Sequence, residues 1–396
     1  MVLVLALCVF VFISVFVSFK QISFLRSFMD KKPVILEQDD FLNAIKVGIE
    51  NEKFSIFSNF YSLVINLCFL LFGFAFLKDL LIKENTILEG TFFILYYLFI
   101  TSILNLPTSY YKTFVKDKKQ GFTNSSLGLF IKDSIKSLLL LFIFGFLLIY
   151  LLLLCFDLLG GAWWIGAFLV CFLFVLGANI IYPNFIIFWF NKLKPLEDES
   201  LKTSIDELLH KVGFKCDGVF IMDASKRDSR LNAFFAGLGS SKKVVLFDTL
   251  VDKMPKNELL AVLGHELGHF KHKDILKNIF FMAFVFFVMF FVFSFANDEI
   301  LSLVSLDGFN AGVIMFLLIY SNIVLAPLML LSSYISRKNE FAADKHGVDM
   351  SSKDDMKNAL IILAKENKAF ISSHKLKVLG YSHPPILDRI NAIENL

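Results

Sequence analysis

The sequence predicts an α-helical polytopic membrane protein of seven transmembrane helices, with a smaller α+β unit on the cytoplasmic side. Three observations predict it. The 396-residue chain is 56% hydrophobic and only 19% charged, with a mean hydropathy of +0.67, which is more apolar and less charged than soluble domains are. Seven uncharged runs are each long enough to cross a hydrocarbon core, which takes about 20 apolar residues. Between the fifth and sixth runs, charged residues return and short β-branched runs appear among turn residues.

The runs are 1–19, 54–77, 90–111, 137–156, 158–191, 278–297 and 308–336. The first has no basic residue before its apolar core and no small-residue cleavage pattern before Lys20, so it reads as a retained span, not a removable leader. The fifth is longer than one crossing needs; Gly160-Gly161 and Pro183 place the crossing from 162 to about 182, with a bend or interfacial stretch after the proline. Lys and Arg concentrate in cytoplasmic loops. The first loop carries Lys20, Arg26, Lys31 and Lys32, and the third carries Lys112, Lys116, Lys118 and Lys119. The fourth and sixth loops, around Asp157 and from Asp298 to Asp307, have no basic residue at all. This alternation puts the N-terminus outside, and 192–277 and the segment after Arg337 inside.

From 197 the chain reads as a separate unit. The resulting division is a membrane domain over 1–196, with five transmembrane helices, and a second domain over 197–396 that includes helices six and seven. Residues 201–212 have the spacing of an amphipathic helix, and 219–222 and 244–247 read as strands. Residues 232–236 make a further strand, joined to the last by Gly237-Leu238-Gly239-Ser240-Ser241. The cysteines Cys8, Cys68, Cys155, Cys171 and Cys216 have no metal or redox spacing, and the net charge of +3 is too small to argue for nucleic acid.

The chemistry concentrates in His265-Glu266-Leu267-Gly268-His269. On a helix, residues four apart share a face, so both imidazoles reach one metal ion while Glu266 stands beside it. Pro255 and Glu258 suit a helix start, and Leu259, Leu260, Val262, Leu263, Leu267 and Phe270 give an apolar side at helical spacing. Zinc-dependent hydrolysis needs such a pair, a third protein ligand, and an open position where water loses a proton. His272 cannot be the third ligand, because seven residues of helical rise hold it about 10 Å from His265. The metzincin continuation is excluded too, since Ile275 stands where its last histidine belongs. A carboxylate from a second helix remains, and Glu340 supplies it, with Asp344 four residues on to receive the outward N–H of a ligating histidine. Run six begins just after the histidine pair and run seven ends just before Glu340, so both arrive at one membrane surface.

These stretches, together with 182–202, 225–250, 121–133 and His383-Pro384-Pro385-Ile386-Leu387-Asp388-Arg389-Ile390, resemble the type I CAAX prenyl protease family. The resemblance covers most of the chain. It implies a gluzincin-type zinc peptidase unit in which His265, His269 and Glu340 bind one Zn2+ per chain and Glu266 is the catalytic base. It further implies that Asp344 supports a ligand, that Asn232-Ala233 pairs with substrate backbone as an edge strand, and that His383 and Arg389 face the reaction centre, His383 as a donor to the oxyanion. The chain departs from the family pattern at Arg230-Leu231, ahead of Asn232, which bears on substrate preference and not on the chemistry.

The expected function is hydrolysis of peptide bonds in membrane-associated or CAAX-type substrates, in contact with the lipid bilayer and not with nucleic acid. No oligomeric state follows from the residues. The size and composition of the chain suggest a bacterial inner membrane, with the active site facing the cytoplasm. A transporter is the first rival reading, but the seven runs lack the intramembrane Asp, Glu, Lys and Arg such proteins use. A non-proteolytic binding protein is the second, and it leaves the complete set of chemical groups without a purpose.

Overall fold

The apolar runs form helices in the expected order, and local capping chemistry marks many of their starts. In a computed structural model, which describes residues 2–236 and 242–396, α1 (Val2–Arg26) packs along α2 (Gln38–Cys68). Through a π-helical turn, α2 continues into α3 (Phe74–Leu81). Next, α4 (Ile87–Tyr110) starts on a capping box in which the Glu89 N–H donates to Thr86 Oγ1 at 3.2 Å and the Thr86 N–H donates to Glu89 Oε2 at 3.2 Å. Ser126 caps α5 (Leu127–Leu159) through the Leu129 N–H at 3.2 Å.

At the end of α5, Gly160 has φ of +50°, a left-handed value that disfavours residues with a Cβ. There the chain turns into α6 (Trp163–Ile181), which packs back along α5. Among the described residues, 6 continuous helical stretches are long and apolar enough to cross a membrane. One of them, Leu127–Phe190, contains this reversal, so the crossing legs number seven, as expected. After Pro183 the helix continues through a π-helical turn, Tyr182–Ile186, into α7 (Ile187–Phe190).

The soluble unit opens with a strand that the sequence reading did not find, β1 (Leu193–Pro195). Three residues ending in proline carry no alternation to detect, and such a strand is tolerated at a sheet edge. Then come α8 (Glu199–Val212), β2 (Val219–Met222), β3 (Ala233–Ala236) and β4 (Lys243–Phe247). The sheet order is β1-β2-β4-β3, with β2 and β4 parallel and both outer strands antiparallel to their neighbours. Thus β3 is an edge, as expected of the Asn232-Ala233 segment. The link 237–241 lies outside the described residues.

After α9 (Asp248–Lys253), α10 (Lys256–Lys271) carries the histidine pair and α11 (Asp274–Phe293) is the sixth crossing leg. The short α12 (Asp298–Ser302) leads to α13 (Asn310–Met350), 41 residues long and containing Pro327. This helix does not stop where its apolar run stops. It carries the seventh leg and the acidic pair on one continuous rod, so Glu340 is placed by the membrane packing of the same helix. Finally α14 (Lys353–Glu366) packs on α10 and α13, the short α15 (Lys375–Val378) lies against α1, and α16 (Ile386–Glu394) packs on α13 and α14.

Two principal cores result. Phe74, Phe93, Leu153, Trp163, Phe290 and Met315 belong to the membrane core. Ile205, Val244, Leu246, Leu250, Leu263 and Leu267 belong to the core between the sheet and α10. Phe12, Phe72 and Phe280 point outward from their helices, where a bilayer is as apolar as they are. Arg227 joins the two units by donating to both oxygens of Asp133 at the start of α5, at 2.8 and 3.1 Å.

Candidate active site

The site exists because α10 and α13 approach backbone to backbone. A Cβ on Gly268 would lie 2.9 Å from Ala343 Cα, and one on Gly264 would lie 3.0 Å from Met350 Cβ. Glycine at these two places lets the helices close up, and Glu340 arrives beside both imidazoles. His265, His269 and Glu340 each offer a ligand atom, and these atoms all lie within 4.8 Å of one another. His265 Nε2 is 3.5 Å from Glu340 Oε2, and His269 Nε2 is 3.3 Å from Glu340 Oε1. Two imidazoles and one carboxylate with inward-facing nitrogens form a donor set that zinc takes at hydrolytic centres.

Two further observations fit a cation there. Glu340 Oε2 is buried without a hydrogen-bond partner of good geometry, with His383 Nδ1 2.9 Å and Arg389 Nη1 3.4 Å away. Burial works against charge on His269, yet hydrogen bonds to Glu340 and Asp274 outweigh it and lift its pKa to about 9. A proton so held stands where a metal ion would displace it, because ligation needs the neutral ring. Burial also raises the Glu266 carboxyl, with His265 and His269 opposing that rise. The result suits a group that first accepts a proton and then returns it.

Behind the ligands, Asp344 Oδ1 lies 2.8 Å from His265 Nδ1. Arg389 grips Asp344 with two bonds, Nε to Oδ2 at 2.8 Å and Nη2 to Oδ1 at 2.5 Å, and places Nη1 at 3.4 Å from Glu340. These expected residues therefore converge. His383, on the loop before α16, keeps 66% of its side chain exposed and borders a cavity of about 510 Å3 also lined by Gln21, Glu52, Ser373 and Tyr381. Asn232 and Ala233 sit farther off. Ala233 pairs with Leu246 in the sheet, its N–H takes Asn232 Oδ1 at 2.9 Å, and β3 packs beside α10.

The sequence reading missed Asp274. It is buried at the start of α11, with Oδ2 accepting from His269 Nδ1 at 3.0 Å and Oδ1 from Lys277 at 2.8 Å. In the sequence it looks like an ordinary acidic residue in a first helical turn, which is its commonest use. The left-handed Lys273, φ of 58°, turns the chain so that Asp274 comes back under His269. No composition signal announces that turn.

Comparison with known proteins identifies the family and the overall fold. Residues 195–396 match peptidase family M48, and residues 30–192 match the CAAX prenyl protease N-terminal region of five membrane helices. CAAX prenyl protease 1 of Saccharomyces cerevisiae is 33% identical over 405 residues, spanning 92% of this chain and 88% of that protein. The CAAX prenyl protease 1 homolog of Dictyostelium discoideum is 35% identical over 319 residues, spanning 78% and 74%. The crystal structure of S. mikatae Ste24p superposes with a TM-score of 0.89 at 30% identity, covering 98% of this chain and 97% of that one.

Proposed function

Because this chain belongs to peptidase family M48 and is a multi-pass membrane metalloprotease, we propose that His265, His269 and Glu340 hold one zinc ion per chain and that Glu266 is its catalytic base. The observation that carries this reading is the convergence of those three ligands from two helices with Glu266 between the histidines. When bound, zinc supplies a Lewis acid that polarises the scissile carbonyl and acidifies water. Glu266 takes the proton of the attacking water and passes it to the leaving amine. His383 stands beside Glu340 and donates to the carbonyl oxygen as charge builds on it. Asp344, held by Arg389, keeps the His265 ring in one tautomer and one orientation.

The substrate is an extended peptide that adds to the free edge of β3 along Asn232 and Ala233. The relatives are named for CAAX prenyl proteins, and we extend that class to this chain, within a broader set of membrane-associated peptides. The division into a membrane domain over 1–196 and a peptidase domain over 197–396 belongs to the same proposal and follows the two family matches closely. The cytoplasmic orientation rests on loop charge. A bacterial inner membrane, suggested by composition, draws no support from the relatives named above, which are eukaryotic.

The test compares two glutamates in the full-length protein in detergent. Glu266→Gln is expected to keep its zinc, counted by mass spectrometry, and to lose turnover by about 100- to 10,000-fold, the usual contribution of general acid–base catalysis. Glu340→Gln is expected to lose zinc as well as activity, because an amide oxygen is the poorer donor. Full activity in the first variant, or unchanged zinc affinity in the second, would overturn these assignments.

A further inference from the structure

We propose that Asp274 is a positioning residue for the metal ligand His269, and that Lys277 fixes Asp274 in turn, so the ligand is oriented from the first turn of the sixth membrane leg. This rests on the reading of His269 as a ligand. The ring of His269 is engaged on both nitrogens: Nε2 faces Glu340 at 3.3 Å, and Nδ1 faces Asp274 Oδ2 at 3.0 Å. The other oxygen of Asp274 takes the Lys277 ammonium at 2.8 Å. Asp274 is 3% exposed, so its charge is withdrawn from water and both oxygens are satisfied by partners.

An acidic residue in a first helical turn ordinarily serves the helix, either by accepting backbone N–H groups or by meeting the dipole. Asp274 is differently used. Neither of its oxygens accepts a backbone N–H of α11; they go to His269 and Lys277. Its position is also held by a backbone shape that non-glycine residues seldom adopt, the left-handed Lys273 just before it. In the neutral ring that ligation requires, these contacts keep the remaining proton on Nδ1, so that Nε2 would carry the lone pair offered to a metal, and they raise the basicity of that nitrogen.

The experiment measures zinc affinity by chelator competition on the full-length protein in detergent, together with the visible spectrum of the Co2+-loaded form. Asp274→Asn is expected to weaken affinity about 10- to 100-fold, the range for such supporting partners, and to alter the Co2+ bands, with Asp274→Glu recovering part of the loss. The exposed Lys277→Gln, which removes one solvent-screened ion pair, is expected to weaken affinity about threefold. It stands in if Asp274→Asn does not fold, and unchanged affinity there would overturn the proposal. Wild-type affinity and Co2+ spectrum in Asp274→Asn, with zinc lost from Glu340→Gln, would overturn the role of Asp274 alone. Wild-type affinity in Glu340→Gln as well would remove the metal reading on which it rests.

Discussion

The two histidines of the site are built to one plan in two different media. His265 is backed by Asp344, and Asp344 by Arg389; His269 is backed by Asp274, and Asp274 by Lys277. Yet Arg389 is 11% exposed and grips bidentately, whereas Lys277 is 55% exposed and makes a single contact. The histidines follow suit, at 7% and 24%. An ion pair taken out of water is costly to break, since the surviving partner is left charged and buried. An ion pair with one partner in water, as Lys277 is, is worth less and yields more to salt, although Asp274 itself is buried. The inner arm therefore serves the fold and the ligand together, while the outer arm serves mainly the ligand. The outer arm also sits where the peptidase unit meets a membrane leg.

Breaking the inner arm is the sharpest test of that difference. Asp344→Ala strands the Arg389 guanidinium among buried groups, and a loss of about 3–5 kcal/mol of stability is expected, with zinc lost as a consequence. Thermal unfolding of the metal-free protein reads this directly; a metal-free protein as stable as wild type would mean that the two arms are equivalent.

A smaller effect tests what holds the arms together. Gly268→Ala puts a methyl group against the Ala343 backbone and should cost about 1–3 kcal/mol through overpacking, while pushing Glu340 away from both histidines at once. Zinc affinity should fall alongside melting temperature. If only one of the two moves, the helix contact does not set the ligand spacing.

The edge strand offers a contrast outside both arms. Because the Asn232 C=O already accepts from Phe247 in β4, the free-edge donor is the Ala233 N–H; Ala233→Pro removes it, worth about 1–1.5 kcal/mol or roughly tenfold in peptide cleavage, and should leave zinc content alone. Untouched turnover would place the substrate elsewhere. The least change is expected from salt. Raising ionic strength from 0.1 to 1 M shortens the screening length from about 10 to 3 Å, and should weaken zinc binding by no more than about threefold in wild type and not at all in Lys277→Gln. A salt effect of equal size in both proteins would place its origin outside the outer arm.

Much of this protein is local in its causes, and those parts were legible as sequence. The membrane legs follow from run length and the absence of charge, the start of α10 from Pro255 and Glu258, and the histidine pair from four-residue spacing on one helix. Glu340 and Asp344 were legible because they repeat that spacing on a helix leaving the same membrane surface. The tertiary structure alone decided what depends on contact between distant segments. It added β1 to the sheet and extended α13 past its apolar run. It brought Gly264 and Gly268 against α13, and it turned Asp274 under His269 through a left-handed Lys273. The physical reason is common to all of these. Side-chain periodicity and capping are energies between neighbours in the chain, and they leave a pattern in composition. A close backbone approach or a buried carboxylate beneath a ring is an energy between surfaces, and its residues acquire meaning only when packing brings those surfaces together.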